Sequence, residues 1–115
     1  MSSDCLFCKI IAGDIPAKMC YEDEHLVAFA DIDPQAPQHL LIVPRKHIAT
    51  AMDLTDEDCE LVGRVYRVAA KLARDLGFAD NGFRLVNNCN ADGGQVIWHI
   101  HFHLLAGRQM TWPPG

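Results

Sequence analysis

Three histidines stand at every second position in the segment His99-Ile100-His101-Phe102-His103-Leu104-Leu105. Imidazole changes charge near neutral pH, and it serves as metal ligand, proton carrier and nucleophile. If the segment is a strand, its residues alternate sides, with the histidines on one face and Ile100, Phe102 and Leu104 on the other. Three readings suit that spacing. The histidines could be polar residues on the wet face of a half-buried strand. They could be facial ligands to zinc or iron, leaving an open position for water. Or one imidazole could attack phosphorus while the other two hydrogen-bond it or the phosphate.

The stretch just upstream weighs between them. Asn88-Cys89-Asn90-Ala91-Asp92-Gly93-Gly94-Gln95 is rich in turn residues, and its glycine pair lets backbone N–H groups approach an anion closely. Such a turn alone is usually a plain connection. Delivered directly into the histidine segment, with an amide donor at Asn88, it resembles half of a phosphate pocket and favours the nucleophile over an open catalytic metal.

The elements that must position these residues follow from pattern. The turn at Cys8–Ala12 is short and apolar, closed by Gly13-Asp14-Ile15-Pro16, and predicts a small helix. Met19–Tyr21 and Leu26–Ala30 read as strands joined by a charged turn, and His39–Val43, between Pro37 and Pro44, reads as a third. A long helix is predicted from Thr55, with Asp58 completing a variant of the capping box, to Gly77 as its left-handed stop. Leu61, Val65, Val68, Ala69, Leu72 and Leu76 form its apolar stripe. Residues 82–88 and the histidine segment supply two more strands. The expected class is α+β, a five-stranded antiparallel sheet with one long and one short helix.

Composition narrows the function. At 115 residues, half of them hydrophobic, the chain suits one domain over residues 1–115. The start Met1-Ser2-Ser3-Asp4 lacks the basic flank and apolar run of a secretory leader, and no stretch is long enough to span a membrane. A cytoplasmic protein without membrane contact is expected. Its formal charge of -5, with scattered Lys and Arg, argues against binding along a nucleic-acid backbone while leaving room for a pocket for one small anion. Five cysteines are too few and odd in number for a disulfide scaffold.

With these features assembled, the sequence resembles the histidine triad family, named for His-φ-His-φ-His-φ-φ with φ hydrophobic. Residues 99–105 fit the pattern throughout. Within the family it is most similar to the Hint branch, the histidine triad nucleotide-binding proteins. The likeness is carried also by Cys8-Lys9-Ile10-Ile11, Ile15-Pro16-Ala17, Asp31-Ile32, Pro34-Gln35-Ala36-Pro37-Gln38-His39, Gly93-Gly94-Gln95, and the ending Gly107-Arg108-Gln109-Met110-Thr111-Trp112-Pro113-Pro114-Gly115. The resemblance implies a homodimer whose sheets join into one, with a purine nucleotide (AMP, GMP or their phosphoramidates) as ligand. It implies hydrolysis of purine nucleoside 5'-phosphoramidates and aminoacyl adenylates to nucleoside monophosphate through a nucleotidyl-histidine.

By motif position, His101 corresponds to the nucleophile, His103 to a phosphate contact and His39 to a supporting histidine. Asn88, Gly94, Gln95 and Val96 match phosphate-binding positions, and Asp31 matches the ribose contact. Phe7, Ile10, Phe29, Ile32 and Leu41 match the apolar lining. One departure stands out: Val96 replaces a serine of well-known Hint proteins and removes a hydroxyl that can assist the phosphate or the leaving amine. Two alternatives remain. One is a nucleotide-binding regulatory or scaffold protein with weak turnover. The other is a dinucleoside polyphosphate hydrolase, against which the Trp112-Pro113-Pro114-Gly115 ending argues.

Cys5-Leu6-Phe7-Cys8 is a Cys-x-x-Cys, and a redox role would want a thioredoxin-like context. Zinc would need two more ligands, for which His47 and His99 are the candidates. Bacterial histidine triad proteins with this cysteine pair suggest the same set, and relatives that lack the cysteines do without the metal, so its role would be structural and no catalytic metal is required. If His99 binds zinc, strict alternation cannot keep it in the pocket of His101, and the chain must twist or bulge between them.

Overall fold

The structure, a computed structural model, describes residues 4–115; the leader reading at Met1–Ser3 falls outside the described residues. Element order is α1 (Leu6–Ala12), β1 (Met19–Glu22), β2 (Leu26–Ala30), β3 (Gln38–Pro44), α2 (Cys59–Leu76), β4 (Arg84–Val86) and β5 (Phe102–Ala106), with two single 3-10 turns at Ala51–Asp53 and Asp56–Asp58. All neighbouring strands pair antiparallel in the order β1-β2-β3-β5-β4. The expected class is therefore the observed one.

Strand alternation sorts the sheet into two faces. Leu26 and Ala28 of β2, Leu40 and Ile42 of β3, and Phe102, Leu104 and Ala106 of β5 pack with Val65, Val68, Ala69, Leu72 and Ala73 of α2. Full burial of each larger side chain in such a core is worth about 1.5–3 kcal/mol. On the other face Val27 and Phe29 of β2, with Leu41 and Val43 of β3, pack against Phe7 of α1. This smaller cluster holds α1, whose seven residues are too few to be a stable helix alone.

The long helix begins where its capping signal lies, with a difference of detail. Thr55 N–H and its hydroxyl donate to Asp58 Oδ2, and Asp58 N–H returns to Thr55 O, but these bonds close a 3-10 turn before α2 starts at Cys59. Gly77 ends the helix at φ 87°, as the left-handed stop requires. Leu76, placed on the apolar stripe by spacing, is exposed at the helix end, while Ala73 is buried in its stead. None of the described helices is long and apolar enough to cross a membrane.

The larger difference lies in the histidine segment. The strand starts at Phe102; His99, Ile100 and His101 precede it in irregular backbone. Ile100 nevertheless packs into the same core as Phe102 and Leu104, so the alternation of sides reaches back to Ile100 and fails at His99. Ile100 N–H reaches Ile48 O at 2.6 Å, outside the β3–β5 ladder, and this attachment turns His99 away from His101.

Candidate active site

A cleft of about 430 Å³ opens on the α1 face of the sheet, within the size range of small-molecule sites. Phe7 and Ile10 of α1 form one wall, Phe29 and Leu41 the floor, and Asp31 and Ile32 the rim. The far end is closed by Asn88, Gly94, Val96, His101 and His103. Leu6, Ile15, Pro16, Ala17, Ala30 and Ile97 also line it, residues that carried no chemical signal in the sequence.

Three imidazoles at this end have their protons assigned by their partners. His101 Nδ1 lies 2.7 Å from His99 O; a carbonyl can only accept, so His101 donates there and its Nε2 keeps a free lone pair. His39 Nδ1 accepts from Gln35 N–H at 2.9 Å, which puts its proton on Nε2. That Nε2–H donates to His103 Nδ1 at 2.9 Å, leaving His103 to carry its own proton on Nε2. A lone pair on His101 thus sits beside a donor on His103, their ring centroids 5.1 Å apart.

Burial keeps this set uncharged. It lowers the affinity of His101 for a proton, against the raising effects of its bond to His99 and of Asp31. His103 is pushed down to about 4, first by burial and then by the charges His101 and His39 would carry. His39 is lowered by burial despite Asp31 and Asp33. Asp31 completes the group: its Oδ1 accepts from Asp33 N–H at 2.8 Å, and Oδ2 lies 3.4 Å from His39 Nε2. Three neutral imidazoles and the Asp31 side chain are thus held together at this end of the cleft.

The glycine pair has separate structural reasons. A side chain on Gly93 would meet Cys89 O at 2.5 Å, and Gly94 has φ 79°. The N–H groups of Gly94 and Gln95 close the turn onto Ala91 O and Asn90 O. Val96 N–H makes no hydrogen bond among the described residues, so a free donor of the loop lies two positions beyond Gly94.

The Gln95 side chain bonds inside the protein. Its side chain is 7% exposed, accepts from Asn90 N–H at 2.9 Å, and donates to Ala49 O at 2.8 Å and Ile97 O at 3.0 Å. It braces the loop and is not among the residues that line the cleft. Asn87, which the sequence reading passed over, donates to His101 O at 3.0 Å. Only its tandem with Asn88 hinted at a polar role.

A second cluster lies behind Phe7. Cys5, Cys8, His47 and His99 bring their Sγ and Nδ1 atoms within 4.8 Å of one another. His99 Nδ1 stands 3.3 Å from Cys5 Sγ, 3.6 Å from Cys8 Sγ and 3.2 Å from His47 Nδ1, and Cys8 Sγ stands 3.3 Å from His47 Nδ1. For tetrahedral zinc with bonds of about 2.0–2.3 Å, donor atoms sit about 3.3–3.8 Å apart. The four atoms nearly match that figure. His99 Nε2–H donates to Pro44 O at 2.7 Å, which leaves Nδ1 as a lone pair aimed into the cluster. The residues fit a closed metal site. The Cys8 thiol is pushed up to about 11, by burial first and then by Cys5.

Comparison with known proteins places this arrangement. The family model for the HIT domain matches residues 12–110. The chain is 46% identical over 110 residues to a purine nucleoside phosphoramidase of Escherichia coli, covering 96% of this chain and 92% of that one. Its fold superposes on the crystal structure of a HIT family hydrolase from Legionella pneumophila with a TM-score of 0.95 and 57% identity, covering 97% and 100% of the two chains. A histidine triad nucleotide-binding protein from Candida albicans matches with a TM-score of 0.81 and 32% identity, over 96% and 83%.

Proposed function

The chain belongs to the HIT domain family, and from that premise we propose that it is a hydrolase of purine nucleoside 5'-phosphoramidates, with aminoacyl adenylates as further substrates. The observation that carries this reading is the His101 imidazole, whose proton is held on Nδ1 by His99 O so that Nε2 faces the cleft as a lone pair.

The nucleoside enters between Phe7 and Ile10 on one side and Phe29 and Leu41 on the other, and Asp31 accepts from the ribose hydroxyls. The phosphate then rests among Asn88, Val96 N–H and His103 Nε2–H. Gly94 gives the turn its close approach, and Gln95 contributes by bracing it. His101 Nε2 attacks phosphorus as the P–N bond breaks, and the amine departs taking a proton from solvent. The product is a nucleotidyl-imidazolium whose Nδ1–H remains on His99 O. Charge on the phosphate oxygens is met by oriented donors at each stage. Water next attacks phosphorus, the P–Nε2 bond breaks, and nucleoside monophosphate and a proton are released with His101 again neutral.

Zinc is the metal that best suits Cys5, Cys8, His47 and His99, since two thiolates and two imidazoles at these spacings leave no open position. It would supply a structural cross-link between α1, the segment after β3 and the segment before β5. We assign the protein to the cytoplasm and to a homodimer in which the sheet continues across a strand edge; β4, bonded to β5 alone, offers that edge.

His101→Ala tests the function. Adenosine 5'-phosphoramidate hydrolysis should fall by at least about 10³-fold while AMP binding and the unfolding midpoint stay near wild type. Retained turnover would overturn the assignment. Tight AMP binding by the wild type with negligible turnover across amine leaving groups would instead favour a regulatory protein, a reading that Val96 supports.

A further inference from the structure

His99 is attached at three points that belong to different parts of the molecule. Its Nδ1 enters the Cys5, Cys8 and His47 cluster, its Nε2–H is held by Pro44 O at the end of β3, and its carbonyl accepts the Nδ1 proton of His101. The residue is fully buried, so none of these attachments can be exchanged for water without moving it. Its ring and its carbonyl belong to one short irregular segment, and Ile100 N–H pins the next residue to Ile48 O, beside His47. Loss of the bond at Nδ1 would leave Pro44 O as the ring's hydrogen-bond partner.

Helix α1 makes the same link by packing. Phe7 lies between the two cysteines in sequence and is 4% exposed. Its ring meets His101 edge-on at a centroid distance of 5.0 Å and His99 at 6.0 Å. A group that draws Cys5 and Cys8 toward His47 and His99 therefore seats Phe7 against the nucleophile's ring.

We propose that His99 is a positioning residue through which occupancy of the Cys5, Cys8, His47 and His99 site sets the orientation and proton placement of His101. This rests on the metal reading above and assigns the site a part in catalysis beyond cross-linking. The effect reaches the chemical step, because His99 O touches the nucleophile, and it reaches the cleft wall through α1, which carries Cys8, Phe7 and Ile10.

The test uses the full chain with zinc as the probe. Zinc content is measured first on protein without a histidine tag; the metal is then stripped with a chelator and restored. His47→Ala provides a second route, because His47 is exposed and lies outside α1 and the cleft. Imidazole nitrogen NMR on each form reads which nitrogen of His101 carries the proton, and single-turnover kinetics reads the chemical step. In the stripped protein and in His47→Ala, the single Nδ1–H form of His101 should give way to mixed tautomers, and the single-turnover rate at saturating substrate should fall about 10-fold, as when supports of a metal site are removed. Adding zinc should restore both in the stripped wild type. Absence of near-stoichiometric zinc in the wild type would overturn the metal reading and the coupling together. Zinc binding with identical His101 signals and single-turnover rates in loaded and stripped forms would overturn the coupling alone.

Discussion

Replacing Gln95 by alanine separates a loop brace from a phosphate contact. The native amide serves three backbone groups, Asn90 N–H, Ala49 O and Ile97 O, at 2.8 to 3.0 Å. A buried polar group stripped of its partner costs about 1–3 kcal/mol. Ala49 and Ile97 are only half-buried and Asn90 is exposed, so water recovers part of that loss and the lower bound applies to each. The sum is about 3 kcal/mol, which for a chain of this length lowers the melting temperature by about 10 °C. Thermal and urea unfolding at one fixed protein concentration measure it, with AMP titration run beside them. Weakened AMP binding should accompany the destabilisation, since the same loop carries Gly94 and Val96. A melting temperature within about 2 °C of wild type would refute the bracing argument. Weaker AMP binding at unchanged stability would mean that the side chain touches phosphate after all.

Two other perturbations follow from the site. Val96→Ser places a hydroxyl beside a free N–H of the loop, and a hydrogen bond to a charged phosphate should raise the single-turnover rate of phosphoramidate cleavage about 10-fold; an equal or lower rate would count against it. Stability should rise with pH across the acid range: below 6.5 the unfolded chain protonates histidines that the fold keeps neutral, and for His103 this continues down to about 4. The full interval for His103 is worth about 3 kcal/mol, and His39, His99 and His101 act in the same direction, so urea midpoints that stay level from pH 7 to pH 4.5 would contradict the buried neutral set.

Where signals are local, the fold was legible from sequence. The apolar stripe, the Thr55 and Asp58 turn and Gly77 locate α2 because helix ends and periodicity depend on neighbours a few residues apart. Strand β2 coincides with Leu26–Ala30 for the same reason. In the histidine segment the alternation of sides holds from Ile100 onward and fails at His99, as a place for His99 beside the cysteines requires; the bond that fixes the departure, from Ile100 to Ile48, joins residues 52 positions apart. Asn87 was missed on similar grounds: its partner is a main-chain oxygen, which no residue type advertises. Cys5, Cys8, His47 and His99 come together as expected because ligand chemistry restricts the choice to few residue types. Gln95 shows the converse, a polar residue in the expected loop whose groups are consumed by the loop itself.

Gln35 N–H decides which nitrogen of His39 carries a proton, and through it which nitrogen of His103 does. That decision is made by main chain; the Gln35 side chain bonds elsewhere, to Asp33 O at 2.9 Å. Drift at this site can therefore exchange one amino acid for another without reversing the order of protons in the cleft. Proline alone, having no amide hydrogen, would erase the instruction. The direction of the relay is thus inherited with the shape of a loop, and a comparison of sequences at position 35 would register little of it.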